Sequence, residues 1–550
     1  MKHQRLLFVV VASFAATLTA IPAAQSAPPS KRYLVEFADG KTNNGKAALK
    51  SVGGVVKLEL GKHNAVAAEI PDAKLNTLKS NPNVKSVEED ELRYPISMVR
   101  SLPSGTDRGF DVDGEPVAEV VPYGVSMVQA DLVQGNVDSG VKVCVIDSGY
   151  DLGHEDKPGT DVVTGTDDPG AGPWSEDGSS HGTHVSGTIN ALDNEIGVIG
   201  VFPSVPMHIV RVFGNDGNWA YSSELINAVD DCVSNGARVI NMSLGGPRPS
   251  VLENAVFLHA QKQGVLSIAA AGNGGAGRVC DIFADPGHPE RQACNLHYPS
   301  GYDSVVSVAA VDSAAAVASF SQINSKVEIA APGVSVLSTV PTGSMMDVTL
   351  QSDLGTTDVV PMDNFDIPVA PVTGNLVDCG LAETAANCGD ATDKICLIER
   401  GSYSFAQKAV SCETAGGIGA VVFQSAGNSG PVLGTLGDTH VGIPVVGTDR
   451  DTGLELRAEE IDQPATLSFV VSDYNYDYFS GTSMATPHVA GVAALIWSKH
   501  PTCGPTDIRT AMNATAVDLG APGRDRFYGN GLVQAQDADA YLSAHGCTGN

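Results

Sequence analysis

The chain has 550 residues, enough for two to four domains, and its 43% hydrophobic and 17% charged content fits a globular protein rather than a disordered one. Its 63 Asp+Glu against 33 Lys+Arg leave a net charge of −30, which excludes a general nucleic-acid or anionic-membrane binder. Carboxylates clustered on so acidic a chain also suit calcium.

Met1-Lys2-His3-Gln4-Arg5 precedes an apolar run from Leu6 to Ala20, and Ala24-Gln25-Ser26 offers the small residues a signal peptidase reads. Residues 1–26 are expected to be an export signal. No later stretch has about twenty uninterrupted apolar residues, so no membrane span is expected after it. Export makes the ten cysteines candidates for disulfides. Cys280 and Cys294 bracket a short loop, where a bridge would contribute about 3 kcal/mol. Cys379, Cys388, Cys396 and Cys412 cluster, and Cys503 and Cys547 flank the C-terminal segment. Cys144 and Cys232 lie in apolar patterns and read as buried thiols. Spacing leaves the connectivity open, and no pair of C-x-x-C sites points to zinc.

Strands are expected over Arg32 to Phe37, Val55 to Leu60, Ala65 to Ile70 and Val84 to Val87, with helices over Asn44 to Ser51 and Pro71 to Leu78. That βαββαβ order is a ferredoxin-like α+β sandwich, and its place between an export signal and a larger domain suggests a propeptide. From Pro95 to Val117 the Ser, Gly, Asp and Pro content reads as an exposed linker.

From Val121 the pattern alternates between strand and helix. Val141 to Ile146 is an apolar run ending in Asp147-Ser148-Gly149; Met207 to Val212 is a second strand. A helix over Glu224 to Val233 leads to a strand over Arg238 to Met242, which ends in Ser243-Leu244-Gly245-Gly246. A helix over Val251 to Gln263 leads to a strand over Val265 to Ala270, which ends in Ala271-Gly272-Asn273-Gly274. Ser304 to Val311 and Val327 to Ile329 add further strands. The expected fold is α/β, a parallel sheet with helices on both faces. Ligands of such sheets bind at the carboxyl ends of the strands, where Asp147, Ser243 to Gly245 and Asn273 all fall.

Between Pro341 and Ser472 the style changes: four cysteines, the segment Ile398-Glu399-Arg400-Gly401, a helix over Ser404 to Ala415 and a strand over Gly419 to Phe423. This reads as a separate α/β domain inserted into the larger one. The first pattern resumes at Phe479-Ser480-Gly481-Thr482-Ser483-Met484-Ala485-Thr486-Pro487-His488, followed by an apolar helix from Val489 to Trp497. A serine at such a loop-to-helix junction suits an N-cap and, equally, a nucleophile or an anion site.

A serine hydroxyl needs a base to take its proton and a third group to fix that base. His181 stands at the tip of a small-residue helix in His181-Gly182-Thr183-His184-Val185-Ser186-Gly187, whereas His184 points into packing. These three blocks, around Asp147, His181 and Ser483 in that order, resemble the signature blocks of subtilisin-like serine proteases. The resemblance covers Val121 to Gly343 and Asp473 to Gln534. It implies Asp147 as orienter, His181 as general acid/base and Ser483 as nucleophile, with Asn273 and the Ser483 N–H as the oxyanion hole. It further implies Ser243, Leu244, Gly245, Ala270, Ala271 and Gly272 as the walls of the first specificity pocket. Gly217, Asn218 and Trp219 would form the edge that pairs with an extended substrate.

The loop Leu192 to Val198 resembles the family's structural Ca²⁺ loop, which implies Leu192, Asn194, Ile196 and Val198 as ligands, with Asp156 and Glu119 adding carboxylates. Residues 31 to 95 resemble the family's inhibitor-type propeptide, an intramolecular chaperone whose tail occupies the cleft. The insertion resembles a protease-associated domain. The expected division is signal 1–26, propeptide and linker 27–117, first catalytic part 118–343, insertion 344–471, and second catalytic part 472–550. Mature processing is placed near Val117-Ala118. The whole implies a secreted, monomeric endopeptidase acting on proteins and peptides, with no nucleic-acid or membrane partner after export. The rival reading is an inactive calcium-stabilised surface or adhesion protein, which predicts damage to Asp147, His181, Asn273 or Ser483; all four are intact. Gly178-Ser179-Ser180-His181-Gly182 matches the hydrolase elbow pattern, but a polar loop rather than a strand precedes it.

Overall fold

The structure is a computed structural model describing residues 31–96, 99–100, 119–168, 170–214, 219–275, 296–362, 365–427, 431–432, 436, 439–472 and 474–547. The export-signal stretch, Cys280, Cys294, Gly217, Asn218 and the Val117-Ala118 boundary lie outside the described residues. The chain separates into two units, divided between Val87 and Glu88.

The first unit contains β1 (Lys31–Phe37), α1 (Thr42–Ser51), β2 (Val55–Leu60), β3 (Ala65–Ile70), α2 (Asp72–Lys79) and the start of β4 (Val84–Glu89), which runs across the division, in the βαββαβ order expected. Its sheet runs β2-β3-β1-β4. Strand alternation sends Tyr33, Val35 and Phe37 to one face, where they pack with Leu49 of α1 and Leu78 of α2.

The second unit begins with two short strands, β5 (Leu92–Pro95) at the end of the stretch read as propeptide and β6 (Val99–Arg100) within the Pro95 to Val117 stretch that the sequence suggested as an exposed linker. They are ordered because each finds a strand edge to pair with: β5 lies antiparallel to two segments at once, and β6 to one. Next come α3 (Tyr123–Met127), β7 (Val143–Asp147), β8 (Val163–Thr166), α4 (His181–Asn190), β9 (Met207–Arg211), β10 (Ala220–Tyr221), α5 (Ser222–Ser234), β11 (Val239–Met242) and β12 (Leu244–Gly245). They are followed by α6 (Val251–Lys262), β13 (Leu266–Ala270), β14 (Val305–Val311), β15 (Ile329–Pro332) and β16 (Val336–Thr339).

Seven of these strands form one parallel sheet in the order β15-β14-β13-β11-β7-β9-β8. Every residue of β7, β9, β11, β13, β14 and β15 is buried, as strands covered on both faces require. The chain builds outward from β7 in both directions, so the switch of direction lies at β7 and β11, whose carboxyl ends carry Asp147 and lead into Ser243. Four-residue β8 and β16 carry too little pattern to be seen in the sequence. The strand expected over Val327 to Ile329 begins instead at Ile329, because Val327 and Glu328 precede the register that pairs with β14.

The insertion starts with β17 (Met346–Ser352), β18 (Gly355–Asp358), β19 (Val360–Pro361), β20 (Val372–Asp378), β21 (Lys394–Glu399), α7 (Phe405–Thr414) and β22 (Gly419–Phe423). β23 (Val445–Thr448), α8 (Arg450–Glu459) and β24 (Pro464–Val471) complete its eight-stranded mixed sheet. β25 (Tyr476–Ser480), α9 (Thr482–Lys499), α10 (Pro505–Thr515) and α11 (Ala535–His545) return to the core around the seven-stranded sheet.

Cys379–Cys388, Cys396–Cys412 and Cys503–Cys547 are bonded. Cys144 and Cys232 are bonded too, which corrects their reading as free thiols. α5 packs on β7 and brings the two Cα atoms to 5.7 Å, a closeness that 88 residues of separation hid in the sequence.

Candidate active site

Asp147 ends β7 and His181 begins α4. Asp147 Oδ1 accepts from Ser148 N at 2.8 Å and lies 2.7 Å from His181 Nδ1. Two side chains not expected from the sequence hold the helix start: Ser148 Oγ accepts from Gly182 N at 2.9 Å, and Asp177 Oδ2 from Thr183 N at 2.8 Å. Arg211, buried at the end of β9, donates to the carbonyls of Pro173 and Glu176 and so anchors the loop leading to His181. That loop contains no strand before Ser180, so the elbow pattern there is a chance match. Burial pushes the His181 imidazole down, but the Asp147 carboxylate beside it more than offsets this and leaves it above its ordinary value. His184 is buried, stacked on Phe479 and bonded through Nε2 to the Val336 carbonyl; burial pushes it down to about 3, so it is a neutral framework residue.

α9 starts at Thr482, with Gly481 in the cap position. Ser483 therefore stands inside the first turn, one step beyond the capping role its sequence context suggested. Its carbonyl accepts from Ser243 Oγ at 2.8 Å, tying the helix to the end of β11. Asn273 Oδ1 accepts from both the N–H and the hydroxyl of Thr482 at 2.9 Å, which orients the carboxamide with its Nδ2 as the donor end. Gly272 has φ +109°, and a Cβ there would meet Gln322 Oε1 at 2.6 Å and His297 Nδ1 at 2.9 Å, so this wall requires glycine. His297 is a wall neighbour that no motif announced.

Ser483 Oγ is not bonded to His181, whose Nε2 is buried without a partner. It donates instead to the Ile96 carbonyl at 3.0 Å and the Ser243 carbonyl at 3.2 Å. Ile96 follows β5, which pairs with β12 on one side (Leu244 with Pro95, Gly245 with Tyr94) and β10 on the other (Ala220 with Arg93, Tyr221 with Leu92). Ile96 N adds a bond to the Ser243 carbonyl at 3.3 Å. Beyond the serine, β6 pairs with β25. Ser243, Leu244 and Gly245 thus lie along β5 and Ile96. The opposite edge is Ala220–Tyr221, while Trp219 stands beside it, 46% exposed with its ring against Tyr221.

A candidate cation site lies apart from these groups. Asp156 Oδ1 is buried with no hydrogen-bond partner, while Oδ2 accepts from Val198 N at 2.8 Å. Burial, helped by the Glu119 and Glu155 carboxylates and opposed by the Val198 N–H, pushes this carboxyl up to about 7. Glu119 Oε1 accepts from Asn194 N at 2.7 Å, and Asn194 Oδ1 from Ile196 N at 3.1 Å. Among the described residues nothing donates to the carbonyls of Leu192, Ile196 or Val198. An orphaned carboxylate oxygen beside carbonyls without donors is a hard-oxygen set, and it fits Ca²⁺.

A profile of the Subtilase family matches residues 138–364 and 447–531, together more than half of the chain. This chain belongs to the subtilase family. A PA-domain profile matches residues 372–456, so the subtilase fold is interrupted by an inserted PA domain. The chain is 29% identical to subtilisin J of Geobacillus stearothermophilus over 97% of each chain. It is 30% identical to a subtilisin of Bacillus pumilus over 76% of this chain and 99% of that one. Among solved structures, the psychrophilic subtilisin-like protease from the Antarctic Pseudoalteromonas sp. AS-11 superposes with TM-score 0.52 at 38% identity, covering 78% of this chain and 99% of that one. Family membership makes proteins the substrate class.

Proposed function

We propose that this subtilase is the precursor of an exported, monomeric serine endopeptidase that hydrolyses extended peptide segments through an acyl-enzyme. The observation that carries it is the Ser483 hydroxyl 3.0 Å from the carbonyl of Ile96, on a strand gripped along both edges. In this reading Ser483 Oγ attacks the scissile carbonyl while His181 Nε2 takes its proton. Asp147 holds the imidazole tautomer and stabilises the imidazolium. Asn273 Nδ2 and the Ser483 N–H receive the oxyanion charge, helped by the start of α9. His181 then protonates the leaving amine, and water repeats the sequence on the acyl-enzyme.

Residues 1–26 serve as the export signal, and among the described residues no helix is long and apolar enough to cross a membrane. Residues 27–117 serve as propeptide and linker, 118–343 and 472–550 as the catalytic parts, and 344–471 as the insertion. The first cut falls after Ile96, and the second, near Val117-Ala118, leaves Glu119 close to the new N-terminus, at the cation loop it already contacts. Glu119, Asp156, Asn194 and the carbonyls of Leu192, Ile196 and Val198 would hold a Ca²⁺ ion. Bound there, the ion neutralises the two carboxylates and joins three chain segments; it takes no part in hydrolysis.

Expression of Ser483→Ala tests the reading. The variant is expected to accumulate as uncut precursor with no peptidase activity, while the wild type is cut between Ile96 and Ser97 and loses activity as phenylmethylsulfonyl fluoride labels Ser483. A fully active Ser483→Ala protein would end it.

A further inference from the structure

One side chain of the bound strand is buried for a reason that main-chain pairing does not supply. Arg93 and Glu253 are each 0% exposed and face each other in a forked contact. Arg93 Nε lies 3.1 Å from Glu253 Oε2, and Nη2 lies 2.9 Å from Oε1. Either charge alone in such a place would be strongly disfavoured. Glu253 Oε2 also accepts from Ser222 Oγ, at the first residue of α5. The glutamate sits in the first turn of α6, where Ser250 Oγ holds its N–H at 3.1 Å. Gly246 lets the strand come close, because a Cβ there would stand 2.2 Å from the Leu92 carbonyl and 3.0 Å from Arg93 Nη1.

Glu253, Ser222 and Gly246 all lie outside the propeptide, so the pocket they form stays with the matured enzyme. Arg93 is the fourth residue on the amino side of the bond after Ile96. We propose that Glu253, with Ser222, is an acidic subsite that selects substrates carrying Arg as the fourth residue before the scissile bond. The inference rests on the reading above that Leu92 to Ile96 lie as a substrate lies. Arginine is favoured over lysine because the contact uses two nitrogens of one planar fork, whereas lysine offers a single ammonium.

The test uses purified matured enzyme and internally quenched peptides of sequence Leu-Arg-Tyr-Pro-Ile-Ser-Met, with the Arg kept or replaced by Lys, Ala or Glu. Mass spectrometry fixes the bond cut. The expected kcat/KM for Arg exceeds that for Ala by about 30-fold or more, with Lys between them and Glu lowest. In Glu253→Gln the Arg/Ala ratio is expected to fall to about threefold or less, as a neutral acceptor replaces the charged one. The wild-type peptide series decides the matter even if that variant fails to mature. Equal rates for Arg and Ala, both cut between Ile and Ser, would overturn the subsite while leaving the peptidase reading standing. Failure to cut any of the four, with no labelling of Ser483 by phenylmethylsulfonyl fluoride, would overturn both.

Discussion

At the residue scale, the proposed oxyanion role gives Asn273 a narrow task. Its Oδ1 is committed to Thr482, so substitution by Leu removes a donor while keeping the side chain's volume. Asn273→Leu is expected to lower kcat by about 10²–10³ and to change KM little, a magnitude carried over from subtilisin, on which it was measured. Steady-state kinetics on one peptide separate the two parameters, and a loss confined to KM would remove the oxyanion role. His181 gives a second expectation. Only its neutral form accepts the serine proton, so kcat/KM should fall as pH drops through a pKa above the ordinary 6.5. Asp147→Asn removes the charge that raises it and leaves burial, which lowers it; the residual activity should then persist to lower pH, visible as a shifted acid limb. These residues were legible because each lies in an extended local motif. Glu253 was not. Ser250-x-x-Glu253 has the form of an ordinary capping box, yet Ser250 N donates to the Tyr302 hydroxyl, and the carboxylate's partner lies 160 residues earlier.

At the element scale, the segment leading into β5 caps two helices. Glu88 accepts from Ser250 Oγ and from the N–H groups of Val251 and Leu252 at the start of α6. Asp90 accepts from the N–H and hydroxyl of Ser223 at the start of α5. Four orphan donors at each helix start and the positive end of the helix dipole make carboxylates effective there. Glu88→Ala with Asp90→Ala should destabilise the precursor by about 1 kcal/mol per cap and lower the yield of matured enzyme. The melting temperature of enzyme that has matured should not change, because it lacks both residues. A drop in that temperature, with yield unaffected, would refute the chaperone role. The helices themselves were readable from apolar periodicity, and their bounds shifted by only one or two residues. What periodicity cannot carry is a cap supplied from a distant segment, or a pairing as short as Leu92–Pro95, whose Leu-Arg-Tyr-Pro shows no strand pattern until its partner edges are in place. The Cys144–Cys232 bond was hidden for the same reason: each cysteine fits its own element, and only the packing of α5 on β7 joins them.

At the scale of the whole second unit, two arrangements let distant segments act together. The insertion leaves and rejoins the catalytic core through neighbouring antiparallel strands, β16 with β25 and then β17 with β24, so its ends need no separate closure. A change of composition revealed that insertion in the sequence, whereas the adjacency of its ends needed the fold. The cation loop is the other arrangement. Val120 N donates to the Gly197 carbonyl at 2.8 Å and Ile199 N to the Val120 carbonyl at 3.0 Å, which binds the segment after Glu119 to the loop that follows α4. An ion at Asp156 would therefore hold three parts of the chain at once. Calcium at a hundredfold excess over its dissociation constant should stabilise the matured enzyme by about 2.7 kcal/mol. Calorimetry with calcium and with a chelator should show that difference as a higher melting temperature, with turnover at low temperature little changed. Asp156→Asn keeps an acceptor for Val198 N but discards the orphaned charge. The variant should thus melt at one temperature in both conditions, and in chelator no lower than the wild type, since the buried carboxylate is then absent rather than uncompensated. Identical melting of the wild type with and without calcium would remove the site; a variant still stabilised by calcium would move the ion away from Asp156.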